Sequence, residues 1–279
     1  MTDGVSPTVD EHGWLAPGFG LRGIVAGYSA YRQHGVAPLV HRGLPSPYLT
    51  LIFTFDVPLR VAAHPDPTQS PGCYRSLIGG LHTTPATITH DGDQAGVQVS
   101  LSPLGARALL GLPAGELAGT DQHGNELLGH RADEVCDRLE AATSWAERLS
   151  ALDAVLTTML DGQARLPAPE VCRAWQLVVG SGGRLRVADL ARDVGWSTRH
   201  LQSRFRTETG LTPKEALRVT RFDRLRRRLR PWSGLAQAAA AGGYYDQAHL
   251  AREFRMLAGC SPSEWLGAEF ANVQATRAT

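Results

Sequence analysis

Shifted against itself by 49 positions, the C-terminal part of this 279-residue chain lines up without a gap. Leu190 falls on Ala239, Trp196-Ser197 on Tyr245-Asp246, His200-Leu201 on His249-Leu250, and Phe205-Arg206 on Phe254-Arg255. Gly210, Pro213 and Glu215 then meet Gly259, Pro262 and Glu264. Apolar positions, caps and helix breakers recur together, so the chain must build one supersecondary unit twice.

Each unit reads as helix, tight turn, helix. Val187, Leu190, Ala191 and Val194 share one helical face, and Gly195 ends that helix because glycine reaches left-handed backbone cheaply. Ser197 is an N-cap for the next helix, whose Leu201 and Phe205 stand four apart and point inward. Gly210 stops it, and Thr212-Pro213-Lys214-Glu215 starts another with a capping box and Pro at the first helical position. The second unit repeats this with Ala236 to Ala241, Gly242-Gly243, Asp246 as cap, Leu250 and Phe254 inward, and Ser261-Pro262-Ser263-Glu264. The units are expected at about 187–209 and 236–258.

With those apolar side chains turned inward, the opposite face of each second helix meets solvent or a ligand. The first face carries Arg199, Gln202, Ser203 and Arg206; the second carries Gln247, Ala248, His249, Arg252 and Arg255. Arg and Gln are the side chains that make bidentate bonds to guanine and adenine edges in the major groove. An ordinary solvated face is the alternative for one copy, and two matched copies weigh against it. Between Arg199 and Arg230 stand eleven Arg or Lys and three acids, Glu208, Glu215 and Asp223. The whole chain is only +1, so this excess of eight leaves about −7 elsewhere. A basic module joined to an acidic one points to a phosphate backbone as partner of one half only. Within "RLRRRLR", Leu225 and Leu229 fit a connecting helix whose arginines either touch phosphate or are solvated.

Residues from about 170 to 270 resemble the DNA-binding domain of the AraC/XylS family of bacterial transcription regulators. The resemblance is carried by "LARDVGWSTRHLQSRFRTETGLTPKE" and, more specifically, by "GGYYDQAHLAREFRMLAGCSPSEW". It implies that both units enter successive major grooves of double-stranded operator DNA. It also implies Arg199, Gln202, Ser203, Gln247, Ala248, His249 and Arg252 as base readers, with Arg204 and Glu253 set aside. Phosphate contacts are expected from Arg206, Arg221, Arg224, Arg226 and Arg255. A homodimer and contact with RNA polymerase follow from the same resemblance, with activation among the expected outcomes.

The remaining length suffices for one more core. In "VQVSLSP", Val97, Val99 and Leu101 alternate with Gln98, Ser100 and Ser102, the period of a half-buried strand. In "YLTLIFTFDVPLRV", Leu49, Leu51, Phe53 and Phe55 lie on one side, with Thr50, Ile52 and Thr54 on the other. "GIVAGYSAYRQ" and "YRSLIGGLHTTPATITHDG" add further strands between turn signals. The fold class is therefore α+β: an N-terminal cupin-like barrel or sandwich with helices, then an all-α domain with two helix-turn-helix units. After the strands come a helix near Arg131–Ala141 and a longer one with Ser144 and Glu147 as capping box. The longer helix bears Trp145, Leu149, Leu152, Val155, Leu156 and Met159 on one stripe and closes at Gly162. That stripe either packs on the sheet or pairs two copies. Boundaries are placed at 1–162 for this domain, 163–169 for a linker inside "DGQARLPAPE", and 170–279 for the DNA-binding domain.

Chemistry in the first domain is sparsely marked. Cys73, Cys136, Cys172 and Cys260 are scattered with no CxxC pair, which argues against structural zinc or disulfides and fits a reducing cytoplasm. No apolar run approaches twenty residues and the N-terminus lacks a leader pattern, so no membrane partner is expected. His34, His41, His82 and His90 show no H-x-H spacing that would set two ligands on one face, so no metal or cofactor is assigned. GxSxG, HExxH, P-loop and dinucleotide motifs do not occur. The expectation is a small-molecule sensor with no enzyme activity; a catalytic cupin fused to a DNA-binding module and a dimerisation-only domain are the alternatives. Candidate pocket residues are Tyr28, Tyr31, Arg42, Tyr48 and His82, with Trp14 beside them.

Overall fold

The computed structural model describes residues 8–160, 162, 166–230 and 234–268. Ten strands occupy the first half: β1 (Val9–Leu15), β2 (Val25–His34), β3 (Leu39–Gly43), β4 (Leu49–Thr54), β5 (Leu59–Ala63), β6 (Gly72–Tyr74), β7 (Ser76–Gly79), β8 (Ala86–His90), β9 (Gln94–Leu101) and β10 (Asp121–His123). They form two antiparallel sheets, in the orders β1-β2-β9-β4-β7-β10 and β3-β8-β5-β6. The strand-rich stretch therefore closes as a two-sheet sandwich.

Alternation along β4 and β9 decides where the core sits. Leu49, Leu51, Phe53, Val97, Val99 and Leu101 are fully buried and join the main apolar cluster with the helices. Their neighbours on the other face, led by Ile52, meet Leu59, Val61, Tyr74, Leu77 and Ile88 in a separate, smaller cluster between the sheets. The large sheet thus packs its better face on helices, and the space between sheets is left with few apolar side chains.

Those helices are α1 (Ala106–Leu110), α2 (Gly124–Leu128), α3 (His130–Ala141) and α4 (Trp145–Thr158). The Ser144–Glu147 capping box starts α4 as its sequence requires. The helix stops at Thr158, four residues before the expected Gly162, because Met159 already forms the cap. Its stripe is used inside the chain. Leu149, Leu152, Val155 and Leu156 are buried in the main core, and Arg148 donates to the Leu139 carbonyl at 2.9 Å while lying over the Phe55 ring.

The C-terminal half holds α5 (Pro169–Gly180), α6 (Val187–Asp193), α7 (Thr198–Thr209), α8 (Pro213–Arg226), α9 (Leu235–Gly242) and α10 (Gln247–Ala258), with further helical residues at 262–268. Residues 163–165 of the 163–169 linker lie outside the described residues, and α5 already begins at Pro169. The pairs α6–α7 and α9–α10 are the two repeated units. Ser197 and Asp246 accept from the backbone N–H groups of His200 and His249, one cap for each copy. Thr212 and Ser261 form the matching capping boxes with Glu215 and Glu264. Gly195 and Gly243 take φ of +71° and +79° at the turns, a conformation that costs other residues about 1 kcal/mol or more.

The two halves touch. Arg107 on α1 donates through Nε and Nη2 to the Glu208 carboxylate on α7, at 3.0 and 3.1 Å. The 3-10 turn Ala114–Leu117 runs so close to α7 that a Cβ on Gly115 would lie 2.1 Å from the Thr207 carbonyl oxygen.

Candidate functional site

The caps and glycines fix the start and end of α7 and α10, and Leu201, Phe205, Leu250 and Phe254 fix their rotation by burial. Rotation then decides what faces outward. Arg199, Gln202, Ser203 and Arg206 are all exposed on α7, as are Gln247, Ala248, Arg252 and Arg255 on α10. His249 is half-buried; its Nδ1 accepts from the Tyr245 N–H at 3.3 Å and its ring meets Tyr244 edge-on. Arg199, Arg206, Arg252 and Arg255 make no ion pair among the described residues.

Other arginines of the same domain are engaged within it. Arg221 donates to both oxygens of Glu253, at 2.7 and 2.9 Å from Nη2, and Arg218 adds a bond from Nε at 2.8 Å. Asp223 takes Arg226 at 2.7 Å and Arg227 at 2.8 Å. Arg224 occupies the space beside Gly182 that a Cβ would fill. So of the five expected phosphate contacts, the structure leaves Arg206 and Arg255 exposed and unpaired, while Arg221 and Arg226 are tied to buried acids.

Two residues escaped sequence reasoning. Tyr245 is 93% exposed just before the α10 cap, an apolar ring held in water at the edge of the second outward face. Its repeat partner Trp196 was visible in the offset, and here it stacks edge-on against His200. Glu253 was set aside as a base reader, and its structural role as acceptor for two arginines has no local signal in the sequence.

The candidate effector residues do not converge. Tyr28 is buried in the main core and donates its hydroxyl to Asp153 on α4. Burial and that carboxylate hold its pKa well above the ordinary tyrosine value. Tyr31 lines a hollow with Arg60 and His90 at one end of the sandwich. Tyr48 and Trp14 line a cleft against Asp223, Arg224 and Arg227. Arg42 and His82 share a different cavity, the one between the sheets.

Burial disfavours the charged form of three imidazoles of that sandwich. Burial, and then the neighbouring His90, lower the pKa of His41 to about 4; burial also lowers those of His82 and His90. The folded pKa of His41 lies below its ordinary 6.5, so the unfolded chain binds a proton that the folded chain refuses. Its contribution to stability is complete above about pH 6.5 and declines as pH falls toward 4. Urea melts of wild type and His41→Gln at pH 7, 6 and 5 should show the wild type losing stability faster; parallel losses would refute the assignment.

Within the described residues no three His, Cys, Asp or Glu side chains come together as a metal site, and no helix is long and apolar enough to cross a membrane. All four cysteines are free.

Two capped helix pairs with outward, unpaired cations on their second helices define a helix-turn-helix protein. A helix-turn-helix domain family matches residues 190–268, and a domain of unknown function, DUF6597, matches residues 15–123. The signature from Gly242 to Trp265, which resembles the DNA-binding domain of the AraC/XylS family, falls inside that helix-turn-helix match. A probable thc operon regulatory protein of Rhodococcus erythropolis is 37% identical over 84 residues, 29% of this chain and 25% of the relative. The chain thus matches about a quarter of that curated relative's length. Among solved structures, ToxT from Vibrio cholerae O395 is 10% identical over 86% of this chain and 96% of its own, with a TM-score of 0.48. The C-terminal domain of AraT, a response regulator from Geobacillus stearothermophilus, is 21% identical over 36% and 85%, with a TM-score of 0.34.

Proposed function

We propose that this protein is a sequence-specific, DNA-binding transcription regulator of the bacterial cytoplasm, controlled by a small molecule bound in its N-terminal domain. One observation carries the reading. Arginines on the outward faces of α7 and α10 are unpaired, whereas those of α8 that could have joined them are held by Glu253 and Asp223. Cations left unpaired on two equivalent helix faces suit a polyanion that also offers base edges. Arg199, Gln202, Ser203, Gln247, Ala248, His249 and Arg252 are the proposed base readers, and Arg206 and Arg255 the phosphate contacts. The protein is proposed to act without catalysing a reaction. Homodimerisation and contact with RNA polymerase belong to the same proposal. The α4 stripe is consumed inside the chain, so a dimer must use another surface; Trp14 on the edge strand β1 and Phe19 in the 3-10 turn after it are exposed.

Selection of binding sites from random duplex DNA tests the reading. Arg252→Ala should weaken the selected site by about 1–3 kcal/mol and relax preference at one base position. Arg255→Ala should weaken all sequences alike and flatten the salt dependence. An unchanged selected motif in Arg252→Ala would remove that residue from the readers. Failure of the wild type to enrich any sequence would remove the function.

A further inference from the structure

Between the sheets lies a cavity of about 220 Å³, completed on one side by Arg226, Arg227 and Trp265 of the C-terminal domain. Its lining is mixed. The large sheet presents Thr50, Gln98 and Ser100 beside the apolar Ile52 and Leu77, with Thr50 and Ser100 directly opposite each other on β4 and β9. None of these three side chains has a hydrogen-bond partner among the described residues. The facing sheet presents Leu59, Val61 and Ile88.

Charge is also divided. Asp121 lines the cavity with one oxygen held by buried His64 at 2.7 Å, and Gln69 pins its backbone from both sides at 2.8 and 3.0 Å. Its second oxygen lies beside Gly79, another lining residue. His82 donates Nδ1–H to the Thr84 carbonyl oxygen at 2.5 Å, which leaves Nε2 of the neutral ring as an acceptor. Against these acceptors stand three guanidiniums, of Arg42, Arg226 and Arg227. Asp223 sits behind the last two, and Arg42 makes no ion pair among the described residues.

We propose that this cavity binds a small carboxylic acid bearing hydroxyl groups, its carboxylate toward Arg42 and its hydroxyls along Thr50, Gln98, Ser100 and Asp121. The proposal rests on reading the N-terminal domain as an effector domain and names the effector's class. A plain aliphatic acid would leave the Thr50, Gln98 and Ser100 side chains unpaired, and a neutral polyol would leave Arg42 without an anion; both losses are costly out of water. The apolar wall takes the carbon skeleton. Because Arg226, Arg227 and Trp265 come from the DNA-binding half, the bound acid touches both domains. It therefore has different contacts whenever their arrangement changes, the requirement for control.

Thermal melts of the full-length protein test this with gluconate and 3,4-dihydroxybenzoate as hydroxylated acids. Glucose and catechol are the neutral counterparts, and hexanoate and benzoate the acids without hydroxyls. At millimolar probe, at least one hydroxylated acid should raise Tm above both of its counterparts, and which one does distinguishes a sugar acid from an aromatic acid. Arg42→Gln and Ser100→Ala, each with an unchanged melt in buffer, should weaken that binding about tenfold or more. No shift from either hydroxylated acid, equal shifts from a counterpart, or full binding by Arg42→Gln overturns the proposal. Selected-site DNA binding by the same preparation is read separately, so loss of this inference and loss of the regulator reading are told apart.

Discussion

Replacing Glu253 with alanine is expected to lower the unfolding free energy of the C-terminal domain by about 3–5 kcal/mol. The carboxylate is 4% exposed and receives Arg218 from one side and Arg221 from the other. Arg221 also lies over the Tyr244 ring, 4.9 Å from its centroid, so it cannot swing to water without losing that contact. Removing the acid strands two guanidiniums that hold α8 against α10. Arg218 keeps 26% exposure and can turn outward, which places the loss toward the lower end of the range. Glu253→Gln keeps an acceptor and should lose less. Denaturant melts followed by tryptophan fluorescence provide the measurement. A Glu253→Ala protein as stable as wild type would show that the ion pairs contribute nothing net. Binding to selected DNA should fall as well, since α10 is aimed by this contact although Glu253 itself faces inward.

Phe205→Ala and Phe254→Ala are each expected to cost about 3–5 kcal/mol, by lost burial and by the cavity left behind. The two residues are repeat partners, but their neighbours differ. Phe205 meets Trp175 of α5, whereas Phe254 meets Phe222 of α8 and Trp265 in the following helical turns. The same substitution should therefore loosen opposite ends of the domain. Hydrogen exchange would read this as lost protection around α5 to α7 in one variant and around α8 to α10 in the other. Identical protection maps would mean that the domain opens only as one unit.

The repeat, the caps and the strand alternation were legible because each is a local rule. A Ser or Asp before a helix, a Gly after it and an apolar pair four apart need only neighbours within a few residues. That is why α7 and α10 begin where Ser197 and Asp246 require, and why Leu49, Leu51, Phe53, Val97, Val99 and Leu101 all face the main core. The outward faces of α7 and α10 follow from the same logic, since fixing the buried side of a helix fixes the other.

Tertiary structure alone decided which polar side chains remain available. From sequence, Arg221 and Arg252 are equally cationic helix residues; packing α8 on α10 brings Glu253 to one and leaves the other in solvent. Tyr28, Tyr31 and Tyr48 looked equivalent as pocket candidates, yet one is sealed on Asp153 and the others open to different hollows. The use of the α4 stripe as core was likewise settled by what folds against it. The chain itself determined which side chains lie in and which lie out, because period and capping act over a few residues. Who meets whom depends on loop closures of tens of residues and on sheet pairing, and those contacts have no signature in the local pattern.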